Sequence, residues 1–184
     1  HALEVLTGLT QSSIPHFQLD EAARARALRT LRRAGYRGGP ILAVHGGAGH
    51  PIRRWGDENF NAVLKALPGA VQFVTVIDEG SGKSGQDLRI PNTVPSCVWR
   101  GGLADLKGLL SACDLLLCCD SGVMHVAAAC GCRIVAVFGP TLVGWFGPRG
   151  KGHEVVKVEP MPCRPCLNRC IYPTPICMEG VTFE

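Results

Sequence analysis

The stretch Cys118-Cys119-Asp120-Ser121-Gly122-Val123-Met124-His125-Val126-Ala127-Ala128-Ala129 constrains the fold of this chain more than any other segment. It reads as the end of a buried strand, a tight polar turn and the start of a helix built from small residues. A turn of this kind at the carboxyl end of a parallel strand belongs to α/β folds. There, free backbone N–H groups and the helix dipole converge on an anionic ligand. Ser121 and Gly122 let the backbone approach such a ligand closely, and His125 falls one turn into the helix. A second polar turn, Phe138-Gly139-Pro140-Thr141, follows the next apolar strand.

The remaining segments fit the same architecture. Asp20 is a good N-cap for a helix over 21–34, which Gly35 stops. Residues 41–44, 71–77, 97–99, 115–118, 134–138 and 155–158 read as short apolar strands, 71–77 being rich in β-branched residues. Asp57 can cap a helix running to residue 67, and 103–112 and 121–130 are helical in period. A polar loop covers 78–92. Continuous apolar strands alternating with helices predict a Rossmann-like parallel sheet with helices on both faces. Residues 1–18 read as a linker or partial helix, 19–160 as one domain, and 161–184 as a Cys- and Pro-rich tail. There is no internal repeat.

A chain of 184 residues with 46% hydrophobic and 18% charged residues describes a globular domain with a sizeable core. The net charge of +4 suits a polyphosphate ligand or an anionic membrane surface; no nucleic-acid partner is expected. No apolar run is long enough for a transmembrane helix, and no signal peptide is visible. The chain begins with His1 and not Met, so it is expected to be a fragment, a processed product or part of something longer. Arg24, Arg26, Arg29, Arg32, Arg33 and Arg37 gather on one predicted helix and its exit. They read either as a solvated face or as a contact for phosphorylated lipid headgroups. Of the ten cysteines, Cys97, Cys113, Cys118, Cys119, Cys130 and Cys132 lie mostly in apolar segments, as small buried hydrophobes do. That usage fits a reducing cytosol.

Several of these residues together resemble a known family. Asp120-Ser121-Gly122, Met124-His125 and the following alanines, then Val135-Ala136-Val137-Phe138-Gly139-Pro140-Thr141, are similar to the donor-binding half of the family 9 glycosyltransferases. These are the bacterial lipopolysaccharide heptosyltransferases and their relatives. His45-Gly46-Gly47-Ala48-Gly49, Arg53-Arg54-Trp55 and Glu58-Asn59-Phe60 resemble a second family signature, although the family usually has Pro where this chain has Gly46. Pro162-Cys163-Arg164-Pro165-Cys166, with Cys170 and Cys177-Met178, resembles a cysteine-rich tail found in many members. The matches run from about residue 41 to the end of the chain.

The resemblance implies the C-terminal half of a two-domain GT-B glycosyltransferase. It implies that the Asp120-Ser121-Gly122 turn, Gly47, His125, Pro140 and Thr141 line a nucleotide-sugar donor site, with ADP-heptose as donor. Asp120, being negative, is expected to take a sugar hydroxyl or orient the loop. One guanidinium of Arg53 or Arg54 would stabilise the leaving diphosphate. Asp78 or Glu79 would hold ribose hydroxyls, as acidic residues do at other nucleotide sites. The resemblance further implies metal-independent, inverting transfer to a lipopolysaccharide-core acceptor. The carboxylate base would come from an N-terminal domain that this sequence lacks, at the cytoplasmic face of the inner membrane. Transfer from another nucleotide-sugar, transfer to a protein, and a non-catalytic binding or assembly module are the alternatives.

Gly80-Ser81-Gly82-Lys83-Ser84 is not a P-loop, because Ile77 stands where the motif requires Gly. It reads as a flexible loop able to close over the donor. Cys163, Cys166, Cys170 and Cys177 have the close spacing of a structural zinc or iron knuckle; labile disulfides or unliganded thiols are the other readings.

Overall fold

The computed structural model describes residues 16–67, 69, 71–77 and 88–182. Helix α1 (Glu21–Arg33) leads into β1 (Ile41–His45), a 3₁₀ turn (Pro51–Arg53) and α2 (Asp57–Ala66). Then come β2 (Phe73–Ile77), β3 (Ser96–Trp99), α3 (Leu103–Leu110), β4 (Leu115–Cys119) and α4 (Gly122–Ala129). The chain ends with β5 (Arg133–Val137), α5 (Val143–Phe146), β6 (His153–Val156) and α6 (Ile176–Glu179).

The described strands form one parallel six-stranded sheet in the order β3-β2-β1-β4-β5-β6. This is the doubly wound order, and its direction of travel reverses between β1 and β4. The pairing of His45 with Cys118 brings the carboxyl ends of these two strands side by side. The loops leaving them therefore diverge, and the crevice between them is where such folds bind ligands.

Side-chain alternation along each strand feeds two cores. Ile41 and Ala43 face a core containing Leu31 of α1, Leu109 of α3 and Met124 of α4. Leu42 and Val44 face a second core containing Trp55, Phe60 and Leu64 together with Cys177, Met178 and Val181 of the tail. Phe60, Phe73 and Phe138 are wholly buried, each worth about 1.5–3 kcal/mol relative to exposure. The tail thus completes the hydrophobic layer on one face of the sheet.

Local signals act largely as their chemistry dictates. Asp20 caps α1, its Oδ1 accepting from the Ala23 N–H at 2.9 Å, and Gly35 follows the helix with φ +107°. Asp57 is not the cap of α2. Gly56 occupies that position with φ +89°, and Asp57 is the first helical residue, where its charge still meets the helix dipole. The last strand lies at His153–Val156 and not at 155–158, because its register follows β5, from Ile134 with His153 to Val137 with Val156. Among the described residues, no helix is long and apolar enough to cross a membrane.

Candidate functional site

The crevice is built from three strand exits and the tail. Beyond β1, His45 is buried, its Nδ1 lying 3.3 Å from the Ile77 carbonyl, and Gly46 and Gly47 are buried beside it. His50 then caps the 3₁₀ turn, its Nδ1 accepting from the Ile52 N–H at 3.3 Å, and that turn delivers Arg53.

Beyond β4, Ser121 occupies the N-cap position of α4 with extended backbone (φ −151°, ψ 165°) and makes no side-chain capping bond. Its Oγ is buried and has no hydrogen-bond partner among the described residues. The first-turn N–H groups of α4 have no partner within the helix, and the positive end of its dipole lies here too. A Cβ added at Gly122, which is exposed, would meet nothing within 4 Å. The mouth of α4 is therefore open space flanked by an unsatisfied hydroxyl, which is how an anion cradle is made.

One charged cluster borders this mouth. Arg53 Nη1 lies 3.2 Å from Asp120 Oδ2, and the Asp120 side chain is only 4% exposed. Thr141 Oγ1, wholly buried at the exit of β5, donates to the same oxygen at 2.7 Å. Arg53 Nε donates to Asn168 Oδ1 of the tail at 2.8 Å, and the guanidinium carbon stands 6.0 Å from the centre of the Phe146 ring. Asp120 is thus occupied by a cation and a hydroxyl within the chain.

The remaining expected residues fall around this cluster. Arg54 is half-buried near the Cys119 thiol. Burial pushes that thiol up to about 12, the Trp55 backbone and the Arg54 charge working against the rise and Asp120 with it. Pro140 is buried, and its carbonyl accepts from the Cys166 N–H at 3.2 Å. His125 is exposed on α4 and is not drawn into the Arg53–Asp120 cluster. Asp78, Glu79 and the 80–84 loop lie outside the described residues.

The four tail cysteines are not brought together as a metal knuckle. All four are free thiols, and among the described residues no group of three or more His, Cys, Asp or Glu side chains could hold a metal ion. The reason lies in the packing. Cys177 is buried with Met178 against Gly139, whereas the Cys170 thiol turns to the Thr174 carbonyl at 3.7 Å. Burial raises the Cys177 thiol above its ordinary value; neighbouring Cys166 and Cys163 add to this and Arg164 opposes it.

Sequence reasoning missed Asn168 and Phe146. Asn168 is 115 residues from its partner Arg53, and nothing local marks it. The motif Arg53-Arg54-Trp55 left two arginines equivalent; the structure distinguishes them by placing Arg53 on Asp120.

The family description "Glycosyltransferase family 9 (heptosyltransferase)" matches residues 1–174. The chain is 26% identical over 158 residues to lipooligosaccharide heptosyltransferase 2 of Haemophilus influenzae, an alignment covering 78% of this chain and 44% of that protein. Its fold is similar to that of E. coli ADP-heptose lipopolysaccharide heptosyltransferase II, with a TM-score of 0.71, 21% identity, and coverage of 82% of this chain and 47% of the other. E. coli heptosyltransferase WaaC, solved with ADP-2-deoxy-2-fluoro heptose, is similar with a TM-score of 0.58 and 18% identity over 84% of this chain and 47% of that one. The two structural likenesses speak to the fold alone, and the chain spans about half the length of the relatives it matches. With a parallel sheet whose switch point lies between β1 and β4, and a family match covering nearly its whole length, the chain belongs to glycosyltransferase family 9.

Proposed function

We propose that this chain is the donor-binding, C-terminal half of a family 9 glycosyltransferase that moves heptose from ADP-heptose to a lipopolysaccharide-core acceptor. The observation that carries the reading is the mouth of α4. A buried, unpartnered Ser121 Oγ, an open space above Gly122 and the Arg53 guanidinium stand at the switch point of the sheet. Backbone N–H groups of the Ser121-Gly122 turn hold the diphosphate, and the Ser121 hydroxyl donates to one of its oxygens. Gly47, Pro140 and Thr141 shape the walls. His125 reaches an outer phosphate or sugar oxygen, and Asp78 or Glu79 takes the ribose hydroxyls. Asp120 orients Arg53.

In the reaction, an acceptor hydroxyl oxygen attacks the anomeric carbon as the bond from that carbon to the diphosphate oxygen breaks. The bonding electrons leave with the diphosphate, and Arg53 stabilises the added negative charge. Arg54 adds to the positive field. The acceptor proton goes to a carboxylate on the partnering N-terminal domain. The reading asks for no cofactor in the transfer step. It also has this chain bind donor without turning over by itself. That E. coli heptosyltransferase WaaC was solved with ADP-2-deoxy-2-fluoro heptose supports the choice of donor.

Calorimetry with ADP, UDP, GDP and ADP-heptose tests the reading directly. ADP is expected to bind best, and Gly122→Val to abolish that binding while the fold persists, since the added side chain meets ligand space and not protein. Tighter binding of UDP or GDP would discard heptose. If none binds, the donor-site reading fails for this chain, and a non-catalytic module becomes the better account.

The same reading places the protein at the cytoplasmic face of the inner membrane. Arg24, Arg32 and Arg37 line an open groove of about 470 Å³ with Tyr36 and Asp114, at the end of the sheet opposite the donor site. Asp114 in that groove is already engaged, accepting from the Ile41 N–H at 2.8 Å. Charge complementarity favours lipid phosphate there. Arg32→Glu with Arg37→Glu is expected to lower co-sedimentation with anionic vesicles; undiminished binding would remove the membrane contact.

A further inference from the structure

The tail does more than cover the sheet. It is fastened to the very turn that carries Thr141. Arg164 Nε donates to the Gly139 carbonyl at 2.6 Å, and the Cys166 N–H donates to the Pro140 carbonyl at 3.2 Å. The Arg164 side chain is only 5% exposed, so its end of this part-buried fastening is shielded from solvent. Immediately beyond it, the chain makes two successive residues with positive φ, Leu167 at 49° and Asn168 at 72°. Non-glycine residues rarely adopt this conformation, and a consecutive pair is rarer still. Leu167 gains no burial from it, remaining 51% exposed. What the turn does achieve is to aim the Asn168 carboxamide at Arg53.

The chemistry of that contact is unambiguous. An arginine Nε–H can only donate, so the group facing it must be the carboxamide oxygen. Nε lies on the guanidinium's edge, and fixing it fixes the plane of the whole group. Asp120 holds Nη1 at 3.2 Å and the Phe146 ring stands 6.0 Å from the guanidinium carbon. Asn168 supplies the remaining constraint, at 2.8 Å.

We propose that Asn168 is a positioning residue for the donor site, setting the guanidinium plane of Arg53 through its Nε–H. The Cys- and Pro-rich tail is the scaffold that presents it. This rests on the reading of Arg53 as the diphosphate partner. A guanidinium free to rotate would meet the diphosphate with fewer aligned N–H bonds and would bind ADP more weakly.

The test is a double-mutant cycle read by calorimetry with ADP. Asn168→Gly suits the backbone, because glycine accepts positive φ, and removes only the side chain. It is expected to weaken ADP binding about tenfold, as for loss of a hydrogen bond to a charged group. Arg53→Ala is expected to weaken it at least as much. The double variant should bind no more weakly than Arg53→Ala alone, because Asn168 acts through Arg53. An unchanged affinity in Asn168→Gly, with a loss in Arg53→Ala, would overturn this inference and leave the donor site standing. Additive losses would overturn it too, by giving Asn168 a role independent of Arg53. Unchanged affinity in Arg53→Ala would instead sink the reading of Arg53 beneath it. A second readout has an arm that needs no variant. In ¹⁵N spectra of the native chain, the Arg53 Nε–H should be slow to exchange with solvent, and Asn168→Asp, which keeps the acceptor, should preserve that protection. Rapid exchange in the native chain would refute the contact.

Discussion

A carboxylate as deeply buried as that of Asp120 must be neutralised where it sits, or its desolvation would cost several kcal/mol. Arg53 supplies the charge and Thr141 the hydroxyl hydrogen, both on the same oxygen. The Arg53 guanidinium is held by Asp120 and Asn168 with 21% of its side chain exposed, so a charge-assisted bond made there would not first have to order a long side chain. Asp120 therefore fixes a cation beside the mouth of α4 although it is itself an anion. At this scale the sequence was informative about residue types and silent about pairings. The run Asp120-Ser121-Gly122 marked a strand-to-helix turn because strand, turn and helix signals fall within a few consecutive residues. Arg53 and Arg54 were both visible, but choosing between them requires knowing which one the 3₁₀ turn directs at Asp120. Asn168 carried no signal, since an asparagine in a Pro- and Cys-rich segment reads as turn punctuation wherever it points.

Helices and strands were legible in proportion to their length and burial. The core strands β1, β2, β4 and β5 announce themselves as apolar runs because both faces of the sheet are covered. The edge strand β6 is half solvated and its apolar residues extend past its pairing with β5, so composition misplaced it by two residues. Helices α5 and α6 are four residues each, too short to show a period. The contact between α1 and α3 was likewise invisible in each helix alone. Gly108 sits in the middle of α3, where glycine is a poor helix former, and its justification comes from α1. A Cβ at Gly108 would lie 2.6 Å from the backbone carbon and oxygen of Ala23 and 2.8 Å from its Cβ. Backbone cannot yield cheaply, so Gly108→Ala should push α1 off the sheet layer despite the gain of about 1 kcal/mol in helix propensity. We expect a net loss of roughly 1–3 kcal/mol, seen as a lower urea midpoint at unchanged m value. A stabilised variant would show that the two helices do not touch this closely.

The whole molecule is a parallel sheet whose cores contain an unusual number of thiols, and that gives its stability a particular dependence on pH. All ten cysteines are free. Burial, with smaller contributions from neighbouring charges, pushes Cys119 and Cys132 up to about 12 and holds Cys113 and Cys118 well above the ordinary thiol range. In the unfolded chain these groups titrate near their unperturbed value of about 8.5. Below that value both states keep their protons, and the thiols add no pH dependence. Above it the unfolded chain releases protons that the folded protein retains, so stability falls as pH rises from about 8.5 towards 12. Each such thiol contributes a slope of up to about 1.4 kcal/mol per pH unit in that window. Urea midpoints measured from pH 7 to pH 10.5 should therefore be level at first and then decline. Tyrosines and lysines also titrate in the upper part of this range, so the comparison that isolates the thiols is with Cys118→Ala and Cys132→Ala together. That variant should start from a lower midpoint, because it loses buried volume, but decline less steeply with pH. An equally steep decline would mean that these buried thiols do not govern the alkaline limb, and that other groups unfold the domain.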